Sequence, residues 1–207
     1  MAPRQWFERC TEGFVEIVGE ITDDQLDAVG LGAWDVRSLL GHTTRAFLTI
    51  ETYLGHGAAV GQAPDEVVLA TSADYFRAAL QGLADPAQVT QRGRDAGAAL
   101  GPDPTGSARA IAARVGVLVA ATDDGARVRT PVGGMRMVDY LPSRALEITI
   151  HSVDLAAAVG RDVPETLVGC IPDAAGLALE VGTPAQRLTV LRAITGRGSL
   201  PPAFSLL

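Results

Sequence analysis

At 207 residues the chain suits one domain, or one domain with a C-terminal extension, and its 47% hydrophobic content is enough for a real core. A net charge of −7 and a pI near 4.9 argue against a dominant nucleic-acid-binding face. No apolar run approaches the roughly 18–20 residues that span a bilayer, and the first residues carry no apolar signal core, so the chain reads as a cytoplasmic protein without a membrane partner.

Cys10 and Cys170 lie far apart and in no motif, which excludes a disulfide framework and a cysteine-based zinc finger. All 17 basic residues are Arg, and Lys and Asn are absent. Both missing residues have A-rich codons, so the composition points to a high-GC genome.

Trp6, Phe7, Cys10, Phe14, Ile17 and Val18 recur at helical spacing and predict a first helix over residues 3–20. Residues 22–32 are acidic, end in glycines and read as a connection with a short turn of helix. A second helix covers 35–55, with Asp35 in its N-cap region, and a shorter third covers 73–82. The Gly-, Asp- and Pro-rich stretch from Gly93 to Gly106 reads as a long loop, after which Ser107 caps a fourth helix running to Ala121.

Asp124-Gly125 is a turn signal, and the alternation of Val128, Thr130 and Val132 fits a short hairpin or extended loop. A long fifth helix spans 136–159, with Pro142 as the place for a kink or a fresh start and Gly160 as its end. Two further helices cover 165–181 and 184–195, and the tail GRGSLPPAFSLL reads as extended. The expectation is a mostly helical protein with a minor β element.

The fifth helix carries the chemistry. At about 100° per residue, Arg144, Glu147, His151 and Asp154 share an arc of roughly 80°. Leu146, Ile150, Val153 and Ala157 flank it on one side and Ile148, Leu155 and Val159 on the other, while Ala145, Thr149, Ser152 and Ala156 lie opposite. On a surface helix, charges gather away from the apolar residues. Here they sit in the middle of the apolar arc, which predicts an inward-facing stripe.

Buried ionised groups need partners or a metal. One reading is a buried polar network, with Arg144 paired to Glu147 and His151 to Asp154. The other is a site. Glu147 and His151, four residues apart, can reach one point, and a carboxylate and imidazole so spaced form half of a bundle metal centre.

A third ligand must come from elsewhere. His42 lies at the edge of the second helix's apolar arc of Leu39, Ala46, Ile50 and Tyr53, which is compatible with aiming at a neighbouring helix. A lone helical His is more often an ordinary core or boundary residue. His56, between Gly55 and Gly57, reads as a surface residue or helix-end cation.

Two segments, AWDVRSLLGHT (33–43) and RALEITIHSVDLA (144–156), together resemble the N-terminal domain of the mycothiol-dependent maleylpyruvate isomerase family, part of the DinB/YfiT-like group of metalloenzymes. The later LRAITGRGSLPPAF is similar to the endings of short members. The resemblance implies an all-α fold: a DinB/YfiT-like up-down four-helix bundle with extra C-terminal helices and a minor β-hairpin. Residues 1–160 would form the metal-binding bundle and 161–207 a helical extension packed on it, in one domain overall.

It implies a divalent metal held by His42, Glu147 and His151, zinc in the isomerase branch with nickel or iron as alternatives, and mycothiol as thiol cofactor or co-substrate. Asp154 would orient an imidazole or pair with an Arg. Arg144 would anchor an anionic substrate group or balance the carboxylates. Trp34 and Arg37 would pack and cap the start of the second helix. The isomerase proper has a separate α/β domain that contributes to its site, whereas only helices and a tail follow the fifth helix here.

Three N/N/O ligands leave a metal position open. Water there would acidify toward a pKa of roughly 7, or a thiol would lose its proton. The thiolate would then attack a small electrophile, giving a transferase or a cis-trans isomerase. A metal-dependent hydrolase and a non-catalytic module binding a metal or small ligand are the alternatives. The expected partner is a small-molecule substrate rather than nucleic acid, and a homodimer is compatible.

Overall fold

The computed structural model describes residues 1–55, 69–82 and 86–207. Its elements in chain order are α1 (Pro3–Glu20), a 3-10 turn (Asp23–Gln25), β1 (Val29–Leu31), β2 (Trp34–Asp35), α2 (Val36–Gly55), α3 (Ser72–Gly82), α4 (Pro86–Ala99) and α5 (Pro104–Ala121). These are followed by β3 (Arg127–Thr130), β4 (Gly133–Arg136), α6 (Met137–Ala158), α7 (Glu165–Val168), α8 (Ile171–Val181) and α9 (Pro184–Ile194). The protein is all-α with two small antiparallel hairpins, β1–β2 and β3–β4. His56 lies outside the described residues. Among those described, no helix is long and apolar enough to cross a membrane.

Four long helices make the bundle. α1 packs on α5 and α6, and α2 packs on the same two from the other side. The apolar positions predicted for α1 are all buried, and Phe7 and Phe14 both meet Phe47 of α2, with ring centroids 5.9 and 5.1 Å apart. Asp35 caps α2 by accepting the Ser38 N–H at 2.7 Å. β3 alternates exposed Arg127 and Arg129 with buried Val128 and Thr130, as a hairpin with one face on the core requires. The chain after α6 turns back on the bundle, α7 against α1 and α6, and α8 against α3 and α6.

The predicted loop over Gly93–Gly106 is overturned. α4 runs through Gly93 and Gly97 to Ala99 and lies along α2. The glycines are there for close approach. A Cβ on Gly41 of α2 would stand 2.1 Å from the Gly97 nitrogen, and one on Gly93 would stand 2.4 Å from the Trp34 indole. Close contact offsets the roughly 1 kcal/mol that each glycine costs a helix interior. The loop shrinks to a tight turn through Gly101, at φ +77°, and α5 starts at Pro104 rather than after Ser107. Asp103 is the cap, accepting the Gly106 N–H at 2.8 Å, while Ser107 donates back to the Leu100 carbonyl.

Three smaller differences concern the C-terminal half. α6 continues through Pro142 without restarting, because the Ser72 hydroxyl donates to the Asp139 carbonyl (2.5 Å) and accepts the Ser143 N–H (3.1 Å). The face of α6 opposite the charged stripe is also buried. Ala145, Thr149, Ser152 and Ala156 are 2% exposed or less, and Trp6 of α1 donates its indole N–H to Thr149. α6 is thus the central helix, and its small residues let α1 approach. Finally, the helix predicted over 165–181 is two, α7 and α8, broken at Gly169-Cys170.

Candidate metal centre

α2 and α6 bring His42, Glu147 and His151 together. One donor atom from each lies within 4.8 Å of the other two. Glu147 Oε2 is 3.4 Å from His151 Nε2, one turn further along α6, and 4.0 Å from His42 Nε2 across the interface. The expected i, i+4 pair is therefore side by side, and the His at the edge of α2's apolar arc points at it. Asp154 accepts or shares the hydrogen of His151 Nδ1 at 3.0 Å, leaving Nε2 toward Glu147. The three side chains are 16–28% exposed, recessed but reachable.

His42 is oriented by packing. Trp34 stacks on it from the end of β2, and the edge of its ring meets that of His151, with centroids 4.7 Å apart. Trp34 is itself fixed by an indole N–H donated to the Thr90 carbonyl of α4 at 2.9 Å and by the space that Gly93 leaves. Its role is thus wider than packing at the helix start, and α4, absent from the sequence reading, supplies the support.

Charge is sharply divided among the three. Burial, with the neighbouring charge of His151, pushes His42 down to a pKa of about 4. Burial works against ionised Glu147, but the hydrogen bond from His151 and the charge of Arg144 hold it at about 2. Burial also opposes His151 cation, yet its bonds to Asp154 and Glu147 lift it to about 9. Near neutral pH the metal-free centre thus holds one carboxylate, one imidazolium and one neutral imidazole.

The donor set fits a divalent ion. Zn–N and Zn–O bonds of about 2.1 Å at tetrahedral angles put ligand atoms about 3.4 Å apart. The Glu147–His151 separation already has that value, and the wider 4.0 Å between Glu147 and His42 means that His42 has to move inward to join the same ion. Nδ1 of His42 is buried with no hydrogen-bond partner, while Nε2 is the nitrogen that faces Glu147.

Beside the centre is a cavity of about 320 Å³, walled by α2, α3, α4, α6 and Leu207 of the C-terminal tail, into which His42 and Glu147 open. Arg144 lines it and is buried, 7% exposed, but the pairing with Glu147 that the alternative, polar-network reading required is absent: among the described residues no carboxylate lies within ion-pair distance of its guanidinium. Nε donates to Ser143 Oγ at 3.1 Å, and Cζ sits 5.0 and 5.2 Å from the ring centroids of Tyr140 and Tyr75. Arg45, Tyr75 and Arg92 also line this cavity and were not singled out in the sequence, and Tyr53, read there only as part of the apolar arc of α2, joins them. Arg45, three residues after His42 on α2, was the one with a usable spacing signal.

The family model for the mycothiol maleylpyruvate isomerase N-terminal domain matches residues 7–156, a span that includes the whole centre and its cavity walls on α2, α3, α4 and α6. No curated protein and no solved structure matches the chain. The match covers well over half of the chain, and the protein belongs to the mycothiol maleylpyruvate isomerase N-terminal domain family.

Proposed function

We propose that the protein is a metal-dependent enzyme that uses mycothiol as thiol cofactor or co-substrate and transfers it to, or isomerises through it, a small electrophile. The observation that carries this reading is the convergence of two imidazoles and a carboxylate from two helices beside a cavity that two of them, His42 and Glu147, line. His42 Nε2, Glu147 and His151 Nε2 would hold the ion, zinc by preference for this N/N/O set, with nickel or iron as alternatives. When bound, the metal supplies an open position at which a thiol gives up its proton.

The chain's own groups do the rest. Asp154 holds the Nδ1 hydrogen of His151 and so fixes the tautomer that presents Nε2. Trp34 holds the His42 ring in place. The cavity offers the second substrate a bounded place beside the centre in which to be oriented.

Elemental analysis of protein purified without added metal tests the centre. Near-stoichiometric zinc, nickel or iron is expected, lost together in Glu147→Gln and His151→Asn; metal retained in both variants overturns the assignment. Thermal shift with millimolar mycothiol tests the thiol. Stabilisation that appears only in metal-loaded protein is expected by mass action, and no response would favour a hydrolase or a binding module.

A further inference from the structure

We infer that the protein pairs with a second copy of itself, the apolar and basic face of α9 in each copy docking on the apolar and acidic surface around β1 in the other. The inference goes beyond the proposed reaction and depends on neither the metal nor the thiol.

α9 has no seat in the bundle. None of its 11 residues is buried, and an isolated helix of fewer than about 12–15 residues is marginal in water. At about 100° per residue, Pro184, Leu188, Leu191 and Ile194 share an arc of roughly 120°. The three large side chains of that arc are 55–73% exposed. The apolar stripe of α1, by contrast, is buried throughout. Arg187 falls in the same arc, but its guanidinium is drawn back onto the carbonyls of Glu180 and Gly182. Singly exposed apolar residues need no explanation, whereas a contiguous stripe marks an interaction face.

Charge identifies the occupant. Residues 184–207 contain Arg187, Arg192 and Arg197 and no acid, so the other 14 arginines of the chain stand against all 24 acids. The complementary surface is on the same chain. Residues 22–32 hold exposed Asp23, Asp24 and Asp27 and no basic residue, and in the same segment Val29 and Leu31 of β1 are 80% and 40% exposed.

Placement and size favour a closed pair. The acidic segment lies at the C-terminal end of α6, where Gln25 donates to the Val159 carbonyl. α9 follows α8, which lies beside Val138, Asp139 and Pro142 near the start of α6. Two copies set antiparallel along α6 bring each α9 toward the other's β1, and one two-fold axis makes the contact twice. An 11-residue helix is about 16 Å long, and one face of it falls short of the roughly 800 Å² per partner of a stable interface. A two-fold pair doubles the area, which an unrelated partner docked on α9 alone does not.

Sedimentation velocity of the full chain over a concentration series, in low and in high salt, tests this. A dimer is expected, weakening as salt rises because the charges lie at a solvated rim. Chelator-treated protein should behave alike, so the outcome is separate from that of the metal reading. Leu191→Asp and Val29→Asp, both at largely exposed positions, should each give a monomer with unchanged circular dichroism. Reversing one side, Arg192→Asp with Arg197→Asp, should weaken the dimer about tenfold or more through like-charge contact with the other copy. Adding Asp24→Arg and Asp27→Arg to that variant should restore it. A monomer at every concentration overturns the inference, as does a dimer that tolerates both Leu191→Asp and Val29→Asp. A dimer broken by Leu191→Asp but indifferent to Val29→Asp also overturns it, because α9 would then pair with α9. So does failure of the two-sided reversal to restore the dimer.

Discussion

The indole of Trp34 stacks on the imidazole of His42, with ring centroids 4.5 Å apart and planes inclined by 33°. Metal-binding histidines are usually steered by a hydrogen bond from the second ring nitrogen. His42 Nδ1 has none, so the stack carries that function. Replacing Trp34 with Ala should therefore weaken zinc binding by about tenfold, the lower end of what loss of an orienting partner costs. Trp34→Phe, which keeps a stacking face, should stay close to wild type. Competitive titration with a chromophoric chelator reads both; an Ala variant of unchanged affinity would remove Trp34 from the centre.

The contact that lets α4 reach Trp34 is the Gly41–Gly97 crossing. A methyl group on Gly41 meets backbone rather than a yielding side chain, so the helices must separate. Gly41→Ala should cost about 3 kcal/mol, the upper range for overpacking, and it should lower zinc affinity as Trp34 loses its support. Thermal unfolding and the same metal titration check the two effects. Gly19→Ala, with nothing within 4 Å of the added Cβ, is the control and should not destabilise.

This crossing also explains what the sequence could and could not reveal. The bundle helices were legible because their apolar residues repeat at helical spacing, and Glu147, His151 and Asp154 were legible because one helix carries all three. α4 was not: its glycines, read as breakers, are selected by neighbours nearly sixty residues away, and no local pattern reports that. The same blindness hid the cavity. Arg144 was visible as a buried charge, but its tyrosine cage comes partly from α3, and Arg92 comes from α4. The inward reading of the stripe was right in direction, while the burial of the opposite face depended on α1, whose Trp6 reaches Thr149.

The split charges of the centre predict a particular pH dependence for the metal-free protein. His42 falls from 6.5 to about 4, so the unfolded chain binds the extra proton and stability declines as pH drops from 6.5 toward 4. Glu147 falls from 4.5 to about 2, so its contribution, present above 4.5, is lost below that. His151 rises from 6.5 to about 9, so its contribution is full below 6.5 and disappears as pH climbs through 9. These three groups place their combined optimum near pH 6.5, and denaturant titrations across pH should fall away on both sides.

Metal binding should show the opposite trend above neutrality. The ion must displace the His151 proton, so zinc affinity should rise with pH until about 9 and then level off. Asp154→Asn removes the principal group that holds this proton, and should move the rise to lower pH even as it loosens the ring. A profile that does not shift in this variant would show that Asp154 does not govern the His151 proton.

The Ser72 hydroxyl bridges α3 and α6 where Pro142 interrupts the helical ladder. Proline has no N–H to give the preceding turn and its ring crowds it, so the Asp139 carbonyl and the Ser143 N–H open outward, and both are met by this one side chain. Ser72 is 5% exposed, and water does not replace it easily. Ser72→Ala should leave two buried backbone groups unpaired, at about 1–3 kcal/mol for each unsatisfied group. Because α3 carries Tyr75, one of the two rings over Arg144, the loss should also loosen the hold on Arg144, with zinc affinity unchanged. Ser72→Thr keeps the hydroxyl and should restore stability in thermal unfolding; failure of Thr to rescue would mean that the bridge is not what couples α3 to α6.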